Sequence, residues 1–299
     1  MDIFNAMSVY VAVVEHGSLV RAAETLGTSG AAVSRQIAAL EDHVGARLLN
    51  RTTRRLSVTD AGQDYFNRAK QILSDLAEAE AAAGESAAQP TGVLRVSAPL
   101  SYGVNRLSRW LPDFMASHPR LRLDLDLTDR QVDLATDAID VAVRIALRPA
   151  ATNVIARRIT SVHRVVCAAP AYLARHGHPL TPHDLAHHDT LCFSHLSSGD
   201  QWNFHNMQGQ TAEVRLRPRL HASSGDMLCE LAVGGAGILN EPDFMVARHI
   251  ASGCLVPILT DWQSESFNVY ALYLSRKYLS AKVRVFIDHL QRMEGGERA

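Results

Sequence analysis

Apolar positions in the first 58 residues recur at helical spacing in three short blocks. Phe4, Met7, Val11 and Val14 repeat at intervals of three and four, which predicts a helix over about 2–15 with that quartet as its buried face. Gly17 ends it. Ser18 is placed to cap a second helix whose inner face is Leu19, Ala22, Ala23 and Leu26, and Gly27 closes that helix. Thr28 or Ser29 caps a third helix. Val33, Ile37, Leu40 and Val44 give it a single apolar stripe, and Gly45 stops it. Leu48, Leu49, Leu56 and Val58 then anchor a two-stranded hairpin. From Thr59 to about residue 83, Tyr65, Ala69, Ile72, Leu76, Ala79 and Ala83 alternate spacings of four and three, a heptad seam about 35 Å long at ~1.5 Å per residue. Such a seam pairs two chains or packs on the helix's own domain; its position predicts pairing. The stretch GESAAQPTG at 84–92 loses the period and reads as a linker.

From residue 93 the period alternates between strand and helix. Val93–Ala98 reads as a strand, followed by a helix to about Met115 with Val104, Leu107, Leu111 and Phe114 on one face. Leu121, Leu123, Leu125 and Leu127 alternate with polar residues in a second strand. A short helix over 131–138 and a strand over 140–145 complete a βαβ pattern, which implies a parallel sheet. A second half starts near 163. It has strands over 163–169, 190–195, 212–219 and 255–259, and helices over 170–176, 181–187, 224–233 and 242–251. The strand over 267–274 has no unit of its own to complete, so the chain is expected to return to the first half before a last helix over 281–293.

The predicted organisation is a winged helix-turn-helix over 1–58, a linker helix and hinge over 59–91, and a two-lobed α/β region over 92–299. Lobe I is 92–162 with 267–299, and lobe II is 163–266. A cleft between such lobes is the default place for a small molecule.

A net charge of −1 excludes a chain coated in basic residues but leaves room for a local basic patch. Residues 47–58 supply one: Arg47, Arg51, Arg54 and Arg55 with no acid. Arginines in a turn are often only solvated. Next to two short helices meeting at a tight turn, they predict DNA contact. On the third helix the face opposite the apolar stripe is small or polar, with Ser29, Gly30, Ala31, Ser34 and Arg35, so the helix can sit deep in the major groove. Arg51, Thr52, Thr53 and Arg54 would form the wing tip over the backbone or minor groove. No run reaches the ~18 apolar residues of a membrane span, and Met1 leads directly into an amphipathic segment rather than a signal peptide, so the expected location is the cytoplasm. The four cysteines match no CxxC pair and read as small buried hydrophobes.

The chain resembles LysR-type transcriptional regulators over essentially its whole length. The resemblance is carried by AVSRQIAALEDHVGARLLNRTTRRLSVTDAG at 32–62, DVAVRI at 140–145, CAAPAYLARHGHP at 167–179 and AVGGAGILNEPDFMVARHIASGCLVPIL at 232–259. It implies an α/β chain with an α-rich winged helix-turn-helix, a long linker helix, and a domain resembling type 2 periplasmic binding proteins. It also implies a homotetramer, built as a dimer of dimers, that binds promoter DNA and changes its bend when an effector enters the cleft. By position, Ser34 and Arg35 fall on the groove-facing side of the recognition helix, and Arg51 and Arg54 on the wing. Gly30 and Ala31 depart from the glutamine and proline common in that family.

In the sensing region the resemblance points to Leu100, Ser101 and Tyr102 after the first strand, where a helix N-terminus and a hydroxyl suit a carboxylate. Ser101 could equally be an N-cap. Asp129 and Arg144 end strands expected to face the cleft. Arg144 could hold a carboxylate or pair with Asp140. His195 and Glu241 would come from the other lobe. The expected partners are double-stranded promoter DNA, a small effector, further copies of the chain, and RNA polymerase. No membrane, metal or cofactor is expected.

The residues disfavour two rival functions. An enzyme would need a signature such as GxSxG, a Walker A loop or HExxH, and the sequence has none. The histidines at 176, 178, 183, 187 and 188 lack clear ligand geometry. A pure solute-binding protein leaves the winged N-terminus unexplained.

Overall fold

The computed structural model describes residues 2–52, 55–83, 90–148, 154–196, 198–274 and 279–295. It begins with α1 (Ile3–His16), α2 (Leu19–Thr25) and α3 (Gly30–Val44), followed by the antiparallel hairpin β1 (Leu49–Thr52) and β2 (Arg55–Val58). The long α4 (Asp60–Ala83) comes next. Ser18 accepts a hydrogen bond from the Arg21 N–H, and Ser29 from the Ala32 N–H, so serine caps open α2 and α3. Gly45 stops α3 at φ +72°, a left-handed backbone that other residues adopt only with strain.

The buried face of α1 is not the Phe4/Met7/Val11/Val14 quartet. Ala6, Val9, Tyr10 and Val13 are buried, and Phe4 is 43% exposed. Tyr10 decides the rotation. Its hydroxyl donates to the Gly62 carbonyl at 3.0 Å, and its ring meets Tyr65 edge-on at 5.7 Å. Gly62 is required at this crossing, because a Cβ there would overlap the Leu48 carbonyl oxygen and come within 2.8 Å of Tyr10 Oη. Likewise Val44 and Leu26 are more exposed than their stripes imply.

The first turns of the α4 seam also serve the chain's own domain. Tyr65 and Phe66 pack on the three-helix core, Ala69 is buried, and Lys70 bonds Glu15 at 2.7 Å. Ile72 is 42% exposed. The side chains of Ala79 and Ala83 lie outside the described residues.

Beyond the linker, the chain order is β3 (Gly92–Ala98), α5 (Leu100–Tyr102), a π-turn (Gly103–Leu107), α6 (Ser108–Ser117), β4 (Leu121–Leu127), β5 (Val141–Ala146) and β6 (Val154–Val162). There follow β7 (Arg164–Ala168), α7 (Pro170–His176), a 3₁₀ turn (Pro182–His187), β8 (Thr190–Phe193), β9 (Gln201–Asn206), β10 (Thr211–Arg215) and β11 (Leu220–Ala222). The last elements are α8 (Gly225–Val233), β12 (Ile238–Pro242), α9 (Asp243–Ala251), β13 (Val256–Pro257), β14 (Trp262–Ser264), β15 (Phe267–Leu274) and α10 (Ala281–Gly295).

Two five-stranded sheets organise these elements, in the orders β4-β3-β5-β15-β6 and β11-β8-β12-β7-β13, and β10-β9-β14 form a smaller one. Both large sheets are mixed rather than parallel. In the first, β3 runs parallel to β4 and β5, while β15 lies antiparallel between β5 and β6. The edge strand β6 escapes sequence reading because Arg157 and Arg158 break its apolar alternation; Arg157 instead reaches Asp288 on α10 at 3.3 Å.

Three predicted helices change form, and the one over 181–187 is the 3₁₀ turn given above. In the segment after β3, the π-turn advances the register: Tyr102, Leu107, Leu111 and Phe114 are buried, and Val104 is 53% exposed. Residues 131–138 form turns, not a helix. The Asp133 carboxylate accepts the Ala135 and Thr136 N–H groups at 2.9 Å each, a local bonding that competes with helical hydrogen bonds. Ala138 leaves the turn at φ +54°. A buried ion pair then fixes β5 to α10: Lys282 Nζ bonds Asp140 at 2.9 Å and the Val93 carbonyl at 2.8 Å. Asp140 is therefore not Arg144's partner.

Candidate nucleic-acid interface and ligand cavity

The capped N-terminus of α3 presents Ser29, Ala31 and Arg35 to solvent, with Gly30 and Ser34 half-buried. Val33, Ile37 and Leu40 are buried on the other side. The hairpin is locked to this helix by Glu41, whose Oε1 accepts the N–H groups of Leu48 at 2.8 Å and Leu49 at 3.0 Å. Sequence reading assigned Glu41 nothing, because a lone acid in a helix looks like a solvated face. Arg51 and Thr52 end β1, and their side chains lie outside the described residues, as do Thr53 and Arg54 altogether.

A cavity of about 180 Å³ lies where the two large sheets meet. Ser101, Tyr102, Asp129 and Arg144 line it from the first sheet's side, and Arg164, His195 and Glu241 from the second's. Apolar wall comes from Phe193, Phe244, Met245 and Phe267. A larger hollow of about 980 Å³ adjoins it, sharing Asp129, Arg144 and His195.

Ser101 is not an N-cap. Its hydroxyl donates to Asp226 Oδ2 at 2.8 Å, and Asn105 Nδ2 donates to Asp226 Oδ1 at 3.2 Å. Tyr102 is buried with its ring edge-on to Phe244 at 5.8 Å. The Leu100 side chain is 40% exposed, and its N–H reaches the Asp129 carboxyl. Burial raises the Asp129 pKa, opposed by His195 and Arg144. Arg144 donates to the Val143 and Arg130 carbonyls and to Ser97 Oγ, and burial lowers its pKa. His195 is exposed at the rim, its ring edge-on to Phe193.

Glu241 is only 5% exposed, and burial pushes its carboxyl up to about 7 against the pull of Arg164. Arg164 donates to the Asn240 carbonyl and lies 5.7 Å from the Phe267 ring centre. Sequence reading missed Arg164 and Asp226. A charge opening the apolar strand RVVCA was the available signal for Arg164; Asp226 looked like an ordinary acid in a helix's first turn.

The histidine-rich segment packs around Tyr172. His176 stacks on its ring at 4.5 Å, and the tyrosine oxygen accepts the Asp189 N–H while contacting His188 Nδ1 at 3.2 Å. Among the described residues no group of three histidine, cysteine, aspartate or glutamate side chains is placed to hold a metal. Nor is any described helix long and apolar enough to cross a membrane.

Two family models match this arrangement. Residues 4–63 match the bacterial regulatory helix-turn-helix protein, lysR family, and residues 87–294 match the LysR substrate binding domain. The chain belongs to the LysR family. It is similar to the HTH-type transcriptional regulator CrgA of Neisseria meningitidis, 37% identical over 285 residues covering 95% of this chain and 94% of that one. It is also similar to PtxR of Pseudomonas aeruginosa, 36% identical over 293 residues covering 98% and 93%. The solved structure of CrgA superposes with a TM-score of 0.63 at 36% identity, over 97% of this chain and 98% of that one. Full-length AphB, a virulence activator of Vibrio cholerae, gives 0.61 at 30% identity, over 96% and 97%. This LysR-type chain is thus a DNA-binding transcriptional regulator with a substrate-binding domain, and its named relatives are regulators rather than enzymes.

Proposed function

We propose that this regulator grips promoter DNA in the cytoplasm through paired copies of α3 and the β1–β2 hairpin, and changes that grip when a small effector fills the cavity. The organisation is that of 1–58, 59–91 and 92–299, with two lobes, 92–162 plus 267–299 and 163–266, around the effector. Ser29, Gly30, Ala31, Ser34 and Arg35 meet the groove, and Arg51, Thr52, Thr53 and Arg54 the backbone. Leu100, Ser101, Tyr102, Asp129, Arg144, His195 and Glu241 surround the effector, which carries a carboxylate. Leu100 contributes through its backbone.

The observation that carries this reading is the Ser101–Asp226 bond beside the cavity, which ties α5 to α8. An occupant there touches both sheets, so it binds open and closed arrangements differently, and only such a difference can shift a population. Pairing uses α4 from Ile72 onward, since the earlier turns serve the chain's own core. Two pairs form a tetramer, which presents its surface to RNA polymerase.

Gel-shift titrations on the intergenic duplex upstream of the coding sequence test the DNA half of this reading. Arg35→Ala and Arg54→Ala should each weaken binding across sequences and lower the salt slope by about one. An unchanged slope for both removes α3 and the hairpin from the contact surface. Sedimentation of the full chain as a monomer at micromolar concentration would remove the paired arrangement.

A further inference from the structure

The cavity wall carries more acid than a carboxylate site needs. Two carboxyls, Asp129 and Glu241, line it, and Asp226 behind Ser101 lies close enough to act on both. Their hydrogen bonding differs sharply. Asp226 has both oxygens engaged by Ser101 and Asn105. Asp129 receives the Leu100 N–H. Glu241 lines the cavity, is 5% exposed, has Arg164 as its opposing charge, and accepts no hydrogen bond among the described residues. A buried carboxyl without a hydrogen-bond donor is costly, and one that lines an open space is explained by the donor that space admits.

The cations are arranged differently. Arg144 is held by three acceptors, the Val143 carbonyl and Ser97 Oγ of its own sheet and the Arg130 carbonyl in the loop after β4. Arg164 is hydrogen-bonded to one described acceptor, the Asn240 carbonyl, and is drawn by the charges of Glu241 and Glu265, so N–H donors remain for an occupant. A plain carboxylate could satisfy Arg164 but would bring a further acid beside Glu241 and Asp129, whose carboxyls burial already pushes towards the neutral form.

We infer that the effector is amphoteric, with a carboxylate for Arg164 and a protonated amine for the unbonded Glu241 carboxyl and its neighbour Asp129. An ammonium group donates three hydrogen bonds and no acceptor, which suits two acids facing one space. The polar ends then fix orientation while Phe193, Phe244 and Phe267 cover an apolar body. This class assignment rests on the reading of the cavity as the effector site, and the following test separates the two.

Calorimetric titration of the full chain uses two matched triads: norvaline, pentanoate and butylamine, and phenylalanine, 3-phenylpropionate and phenethylamine. At least one amino acid should bind tenfold or more tightly than both of its singly charged analogues. Glu241→Gln should reduce that affinity tenfold or more, to the level of the matching carboxylate, while the variant melts cooperatively and still binds DNA. Equal affinity for carboxylate and amino acid, unchanged in Glu241→Gln, overturns the class, as does binding of no member of either triad.

Gly225→Leu tells which reading has failed. A Cβ at that position already comes within 2.6 Å of Met245 Cε and 3.2 Å of Glu241 Oε2, so a leucine fills the cavity. A probe that still binds this variant lies elsewhere, and the cavity reading falls. A carboxylate that is lost leaves the cavity reading standing and the amphoteric class refuted.

Discussion

Ser101 Oγ donates to Asp226 Oδ2 at 2.8 Å, joining two helices 125 positions apart in the chain. Each helix follows a strand of a different large sheet. The bond is the polar link between the two units at the mouth of the cavity, and Asn105 supports it from the next turn.

Ser101→Ala removes one charge-assisted bond and leaves Asn105 on Asp226. A loss of about 1 kcal/mol is expected, which lowers Tm by roughly 2–4 °C in a domain of this size. The effector response should be blunted while basal DNA binding stays intact. Loss of basal binding in a gel shift would make Ser101 a structural residue only.

Gly62→Ala should damage the N-terminal unit more than its size suggests. The added methyl overlaps the Leu48 carbonyl and crowds Tyr10 Oη at the crossing of α1, α4 and the hairpin. Overpacking against backbone cannot relax by a rotamer change, so roughly 3 kcal/mol is expected. Urea unfolding followed through the N-terminal tyrosines measures it, and a change under half a unit of kcal/mol would contradict the crossing geometry.

Glu241 gives the chain a pH dependence of stated sign. Its carboxyl rises from 4.5 to about 7 on folding, chiefly through burial, with Arg164 opposing and Asp226 and Asp129 adding to the rise. Between those values the folded state holds a proton that the unfolded state has lost. Stability from this group is therefore full below about 4.5 and falls as pH rises towards 7. Glu241→Gln should flatten that part of the stability profile relative to the parent chain. Parallel profiles across that range would show that the group is not protonated in the fold.

Three thiols should be inert. Burial pushes Cys167 up to about 12 and Cys192 up to about 11, and raises Cys229 further, with Glu241 adding to the rise in each. The thiolate is the reactive form, so these side chains resist oxidants and thiol reagents while folded. Cys254 is exposed. Ellman's reagent at pH 8 should titrate one thiol in the native chain and four after unfolding. A second fast thiol would mean that the site around Glu241 opens to solvent.

The caps and stops of the N-terminal helices were legible because each rests on contacts within a few residues. Ser18, Ser29 and Gly45 do locally what their side chains or the lack of one permits. Period alone could not choose which of two apolar stripes on α1 is buried. That choice came from Tyr10 meeting Gly62 and Tyr65, all supplied by distant sequence. Likewise Leu134 is buried without a helix around it, because Asp133 takes the backbone donors a helix would use.

For the cavity, the sequence by itself determined the chemistry available: hydroxyl, carboxyl and guanidinium at strand ends that approach one another. Only the tertiary structure decided which of these are already spent. Ser101 is taken by Asp226, Asp140 by Lys282 and Arg144 by its own sheet, while buried Glu241 has no hydrogen-bond donor among the described residues. The physical reason is that hydrogen bonds of this kind join residues more than forty positions apart, and no pattern along the chain records a partner at that distance.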